Sequence, residues 1–240
     1  MESRILKLAL IFTLLVLSQA SSAVMINLKS GNGLIGGADS EITYKLGPAD
    51  SAFPNVFTAT DFDDARNGPA AQIINRNGNW LDPSAFNGDT TANWISDTQN
   101  SATSNGFTAL YAIDFVNPFA SVLSAEMDLY WSVDNRLGGD GTNAGVFLNG
   151  IALAGVEGGS FGTNTPFLGV DIASLLVAGT NTLYFNVFDF GGPSGLLFST
   201  DIEILEDTTQ GPGPTPVPEP TTLILMGLGI VGLGYRKKQK

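Results

Sequence analysis

Cysteine and histidine are both missing from the 240 residues, and positive charge is scarce. A chain without cysteine cannot lean on disulfides, so its core must be large enough to stand alone. The lack of histidine removes Ser-His-Asp and Cys-His catalysis and His-ligated zinc. Acid-base chemistry would then fall to carboxylates or to a lysine or tyrosine. Of 11 basic and 23 acidic residues, only 5 basic but 21 acidic ones lie between Val24 and Gln210, which leaves that body at −16. Such a charge repels nucleic acid and anionic membrane surfaces. It attracts divalent cations, which prefer carboxylate and carbonyl oxygens.

What is present begins with an address. Arg4 and Lys7 precede an apolar run from Leu8 to Leu17, and Ser21 and Ala23 sit at the minus-three and minus-one positions of a cleavage after Ala23. This is the layout of a secretory signal peptide over residues 1–23, and the run is shorter than the ~20 residues a membrane span needs. The body, 24–210, is therefore expected to be exported.

The other end has a second unusual stretch. Residues 211–220, GPGPTPVPEP, hold five prolines in ten residues. Proline favours extended polyproline II, so this is a semi-rigid spacer outside any core. Residues 221–234 are apolar but contain four glycines, and Arg236, Lys237, Lys238 and Lys240 follow. Fifteen helical residues cover ~22 Å, short of a ~30 Å hydrocarbon core. The basic cluster should stay cytoplasmic. The segment reads as a stop-transfer helix suited to transient insertion in the inner membrane.

Pro218-Glu219-Pro220, the Gly-rich hydrophobic segment and the basic end together resemble the PEP-CTERM sorting signal of Gram-negative bacteria. That resemblance implies an exosortase, an integral-membrane cysteine protease-transpeptidase, as partner. It also implies delivery to the cell surface or extracellular matrix and an association with exopolysaccharide.

The body itself reads as β-rich. In EMDLYWSV, Met127, Leu129, Trp131 and Val133 alternate with Asp128, Tyr130 and Ser132. Leu183, Phe185 and Val187 share one face of their segment, as do Tyr111, Ile113 and Phe115. Leu196, Phe198, Ile202 and Ile204 oppose Leu197, Ser199, Asp201 and Glu203. Period-two segments bounded by Gly, Asn and Pro indicate antiparallel strands with one buried face. Thr60 with Asp63 three residues on, and Gly68-Pro69 as a stop, predict a short helix from Asp61 to about Arg66. DIASLL, closed by Gly179, predicts a helical turn. The fold class expected is all-β: one antiparallel β-sandwich, a jelly roll, with one or two short helices.

From Ala125 to Gly155 and from Phe167 to Ile204 the chain is similar to the C-terminal half of galactose-binding-like jelly rolls. The matching elements are Asp134-Asn135, Asn149-Gly150, Asp171-Ile172, Gly179 to Leu183 and Gly191 to Leu196. Each also has a structural explanation; Asn149-Gly150, for example, suits a type I′ hairpin turn.

Three chemistries are open to such a body. A structural calcium, which the galactose-binding-like resemblance implies, has its best ligands in the Gly-rich loop that carries Asp134, Asn135, Asp140 and Asn143. The acidic run DFDDARNG is a poorer cradle, because on a helix Asp61 and Asp64 face one way while Asp63 and Asn67 face another. Carbohydrate binding would use aromatic rings with surrounding amides and carboxylates. Trp80, Trp94, Trp131, Tyr130 and Tyr111 are available; Trp131 belongs to the core face, and Trp80, in a polar stretch, is the better surface candidate for glycan stacking. A glycosidase needs two carboxylates at ~5–5.5 Å or ~6.5–9.5 Å. None of Glu41, Glu126, Glu157, Glu203 and Glu206 lies in a catalytic-looking stretch. The expected role is that of a non-catalytic surface or matrix component, with a specific carbohydrate-binding module and a carboxylate enzyme acting on exopolysaccharide as alternatives.

Overall fold

The computed structural model describes residues 22–100, 106–139 and 141–209. The chain divides into two units, Met1–Thr208 and Thr209–Lys240, and every described strand belongs to the first. Among the described residues twelve strands and one α-helix follow one another, besides two single 3-10 turns. They are β1 (Ala23–Lys29), β2 (Ala38–Leu46), α1 (Ala59–Arg66), β3 (Ala70–Ile73), β4 (Ile95–Ser96), β5 (Ala109–Asn117) and β6 (Val122–Asp134), then β7 (Arg136–Leu137), β8 (Val146–Leu148), β9 (Ile151–Ala152), β10 (Thr165–Asp171), β11 (Gly179–Phe188) and β12 (Gly195–Glu206).

Every pairing is antiparallel, and the strands form one curled sheet in the order β10-β6-β12-β4-β3-β2-β5-β11-β8-β9. β12 explains the curl. One edge pairs with β6 from Gly195 onward; the other pairs with β1 from Ser199 to Leu205 and with β4 at Leu196. Short β4 and β3 carry the sheet round a corner. The result is a β-sandwich. A layer β10-β6-β12-β1 faces a layer β3-β2-β5-β11-β8-β9, with β7 beside β8 on the edge of β11.

The alternation seen in the sequence decides what lies between the layers. Met127, Leu129, Trp131, Val133, Phe198, Ile202 and Ile204 come from one layer and Tyr111, Ile113, Leu183, Phe185 and Val187 from the other, all in a single buried cluster. Opposite-parity residues build two smaller cores on the outer faces. Leu110, Ala112 and Tyr184 pack under Phe62 and Ala65 of α1 with Phe53 and Phe147. Leu197 packs under Ile74, Trp80, Phe86, Ala92 and Trp94.

α1 forms where a helix was expected, but its cap differs. Thr58, not Thr60, is the N-cap, in a capping box with Asp61. This start lets Phe62 and Ala65 fall on the buried face. The DIASLL turn is a single 3-10 turn at Ala173–Leu175. Asn149 and Gly150 both have positive φ, 53° and 80°, and close the β8–β9 hairpin as a type I′ turn requires. Among the described residues no helix is long and apolar enough to cross a membrane.

Candidate functional site

The only place where several titratable side chains are buried together is one end of the sandwich, among the described residues. β6 delivers Asp134 there, β11 runs into Asp189, and the segment after β4 brings Asp97; all three are buried. Each carboxylate accepts hydrogen bonds from its neighbours, side-chain donors at Asp134 and Asp97 and a backbone N–H at Asp189. Asp134 accepts Trp80 Nε1–H at 2.8 Å and Asn135 Nδ2–H at 2.7 Å. Ser96 Oγ lies 3.0 Å from Asp97 Oδ1 and 2.7 Å from the Ser194 carbonyl. Asp189 Oδ1 accepts the Gly191 N–H at 3.1 Å, while its own N–H donates to Thr108 Oγ1. Asn135 Oδ1 accepts the Phe190 N–H at 2.6 Å, which ties the β6–β7 link to the turn after β11.

Burial without enough partners sets the electrostatics. Asp189 Oδ2 and the Tyr111 hydroxyl are buried with no hydrogen-bond partner. Burial pushes Asp189 up to about 6; Gly191 N–H opposes the rise, while Asp50, Asp134 and Asp97 add to it. Burial raises Asp134 as well, against the donors Trp80 and Asn135. It raises the Tyr111 hydroxyl well above the usual phenol value, with Asp97 next in effect.

At the rim the chemistry changes sign. The Arg136 guanidinium lies 5.2 Å from the Phe188 ring centroid and 4.9 Å from that of Phe190, within cation–π range. Lys29, Lys45, Arg66 and Arg76 each pair with a carboxylate. Arg136 is the one basic side chain of the described residues held by aromatic rings instead of an acid.

One sequence expectation changes here. Trp80 is no stacking platform: it is 4 % exposed, lies 4.4 Å from the Trp94 ring, and gives its indole N–H to Asp134. The polar stretch around it folds back over the outer face of β12, so local polarity did not reflect the fate of the ring. All three tryptophans are buried.

Three of the four residues expected to hold calcium are described, and each is engaged within the chain. Asp134 and Asn135 are engaged as above. Asn143 instead fastens the 55–57 segment, accepting from Phe57 N–H and donating to the Asn55 carbonyl, each at 2.9 Å. Asp140 lies outside the described residues, as do Pro218, Glu219, Pro220, Arg236, Lys237, Lys238 and Lys240. Among the described residues no three acidic side chains converge in a way that could hold a metal ion. Asp61 and Asp64 do share a helix face, and Lys45 Nζ lies 2.7 Å from both.

Sequence reading missed Asp189 and the Arg136–Phe188–Phe190 stack. No spacing rule joins residues 54 positions apart, although the acidic residue ending an apolar strand at Phe188 was a visible signal. Alternation with Trp131 places Tyr130 on the polar face beside Asp128, but Trp80 was preferred to it as the surface candidate.

Comparison with known proteins gives a match to the PEP-CTERM protein-sorting motif at residues 216–238. No curated protein matches the chain. Two solved structures are similar at low level. One is a Podospora anserina GH26-CBM35 β-(1,4)-mannanase, at 14 % identity over 74 % of this chain and 29 % of that one, with a TM-score of 0.30. The other is an Arthrobacter globiformis T6 isomalto-dextranase complexed with panose, at 11 % over 76 % and 32 %, with a TM-score of 0.28. The chain spans about a third or less of either protein, and likeness at these scores carries no argument about its chemistry.

Proposed function

We propose that this chain, which carries an exosortase-type sorting motif at residues 216–238, is a non-catalytic component of the cell surface or extracellular matrix. Its N-terminal signal sends it for export. The C-terminal segment inserts transiently in the inner membrane, where an exosortase-type protease-transpeptidase recognises it. The mature body then associates with extracellular polysaccharide.

The sorting motif is the observation that carries this reading. The body is compatible with it. Cleavage after Ala23 leaves a chain that starts within β1, which pairs with β12 along Val24 to Lys29 and so anchors the new N-terminus in the sandwich. The glutamates Glu41, Glu126, Glu157 and Glu203 are exposed and Glu206 is half-buried, while the buried aspartates hold loops in place. A soluble acidic shell around a closed core suits a hydrated matrix.

The test is the intact mass and location of the native protein in cells with and without the exosortase. The expected result is a surface or released species lacking everything beyond about Pro220, seen only when the enzyme is present. A full-length inner-membrane species in both strains would overturn the sorting role and reduce the tail to a plain anchor. A specific carbohydrate-binding module is the second reading, favoured by a groove on the sheet face.

A further inference from the structure

The outer face of the first layer carries polar side chains in register. Asn27 of β1 lies opposite Asp201 of β12, which lies opposite Asp128 of β6. In the next row Lys29, Ser199 and Tyr130 are opposed in the same way. A loop crosses above this second row. Its Asp89 N–H donates to Ser199 Oγ at 3.0 Å, and Asp89 pairs with Lys29 at 3.3 Å. Gly88 permits so close an approach, since a Cβ there would lie 1.9 Å from Ser199 Oγ. Sheet and loop together enclose a groove of about 620 Å³, within the range of small-ligand sites, roughly 300–1,000 Å³.

The lining states what an occupant must offer. Asp201 accepts one bond from Asn27 and Asp128 one from the Gly169 N–H, which leaves the second oxygen of each carboxylate open to the groove. The Asn32 and Asn87 side chains also line it. Tyr130 is half-buried, with part of its ring packed against the Trp80–Trp94 cluster and the rest lining the groove. The ligand must therefore supply several O–H donors, present a C–H face to a phenol ring, and carry no negative charge. Glu41, Asp89, Asp128 and Asp201 face it, and the one cation, Lys29, is already paired. A bare divalent cation would use the carboxylates and the amide oxygens but not the ring. An acidic polysaccharide would be repelled.

We propose that this groove binds a neutral polyhydroxylated chain, a neutral glycan, stacked on Tyr130 with Asp128 and Asp201 accepting its hydroxyl protons. This rests on the polysaccharide association proposed above and specifies the charge class of the glycan and its seat.

The test is titration of the full chain in detergent with neutral hexasaccharides of glucose, mannose and galactose, with an alginate hexasaccharide, and with calcium chloride. At least one neutral oligomer should bind, and Tyr130→Ala should weaken it tenfold or more. Asp201→Arg, at an exposed strand position that should leave folding intact, should cause a comparable loss, whereas Leu123→Ser, outside the groove, should leave binding unchanged. Neutral binding retained in both groove variants would overturn the groove while sparing the polysaccharide reading. Binding of alginate or calcium alone would overturn the neutral-glycan assignment. No binding of any glycan would overturn both, leaving the sorting step to stand or fall on the mass comparison.

Discussion

Trp80 Nε1 donates to Asp134 Oδ2 across 2.8 Å, and both side chains are buried. The bond joins the cluster outside β12 to the acidic end of the sandwich, residues 54 positions apart. Trp80→Phe keeps an aromatic ring beside Trp94 but leaves a buried carboxylate oxygen without its donor. A loss of about 1–3 kcal/mol is expected, read by urea unfolding at pH 7. Adding Asp134→Asn should recover part of it, because the orphaned charge is then gone. Unchanged stability in Trp80→Phe would show that water replaces the indole at no cost.

Asp189 makes stability depend on pH in an uncommon direction. Its folded value, about 6, lies above the ordinary 3.8, so the folded state binds its proton more tightly than the unfolded state does. The contribution is fully present below about 3.8 and is lost as pH rises through about 6, with a total on the order of 2–3 kcal/mol. Asp134 is shifted the same way. Asp189→Asn keeps the acceptor for Gly191 and removes the charge that Asp50, Asp134 and Asp97 oppose. The variant should melt higher than the parent at pH 7.5 and close to it at pH 4. An equal effect at both pH values would place its cause in packing.

How much of this was legible depends on whether the deciding contact is local. Strand parity was legible: Leu196 and Phe198 lie in the central core and Leu197 in the outer one, as their alternation requires. The helix was legible but its cap was ambiguous, because Thr58–Asp61 and Thr60–Asp63 are overlapping boxes in the same stretch. Burial of Phe62 and Ala65 against the sheet selects the first. Trp80 was not legible, since its neighbours in sequence are polar while its neighbours in space are Trp94 and Leu197. The groove was half legible. Alternation put Asp128 and Tyr130 on one face, but nothing local indicated that Gly88 and Asp89 would cross Ser199.

Asp61 works in the opposite sense to Asp189. Burial alone would raise its carboxyl, but Lys45 and the Thr58 backbone and hydroxyl outweigh that and hold it at about 2. Its contribution is present above the ordinary 3.8 and is lost as pH falls through about 2. Asp61→Asn removes the charge from the capping box and from the pair with Lys45 together. A cost of about 1–2 kcal/mol at pH 7 is expected, shrinking as the parent is acidified toward pH 2. A constant difference down to pH 2 would mean that the side chain acts through shape alone.

The exposed face of β6 and β12 carries a defect that a single substitution should relieve. Glu203 sits directly opposite Glu126, which sits opposite Asp171, and on the other side Glu203 faces Met25. Like charges directly opposite on a sheet destabilise it, by roughly 0.2–1 kcal/mol per pair. Among the described residues no cation pairs with these three acids, since the salt bridges all lie elsewhere. Glu203→Lys turns the repulsive contact with Glu126 into an attractive one without touching the core, because Glu203 is exposed. It should raise the melting temperature slightly at low ionic strength, and the gain should fade as salt screens both charge arrangements. Glu203→Gln should give about half the effect, because it removes repulsion without adding attraction. If lysine and glutamine stabilise equally and salt has no influence, desolvation of Glu203 rather than its charge neighbours is the source of the strain.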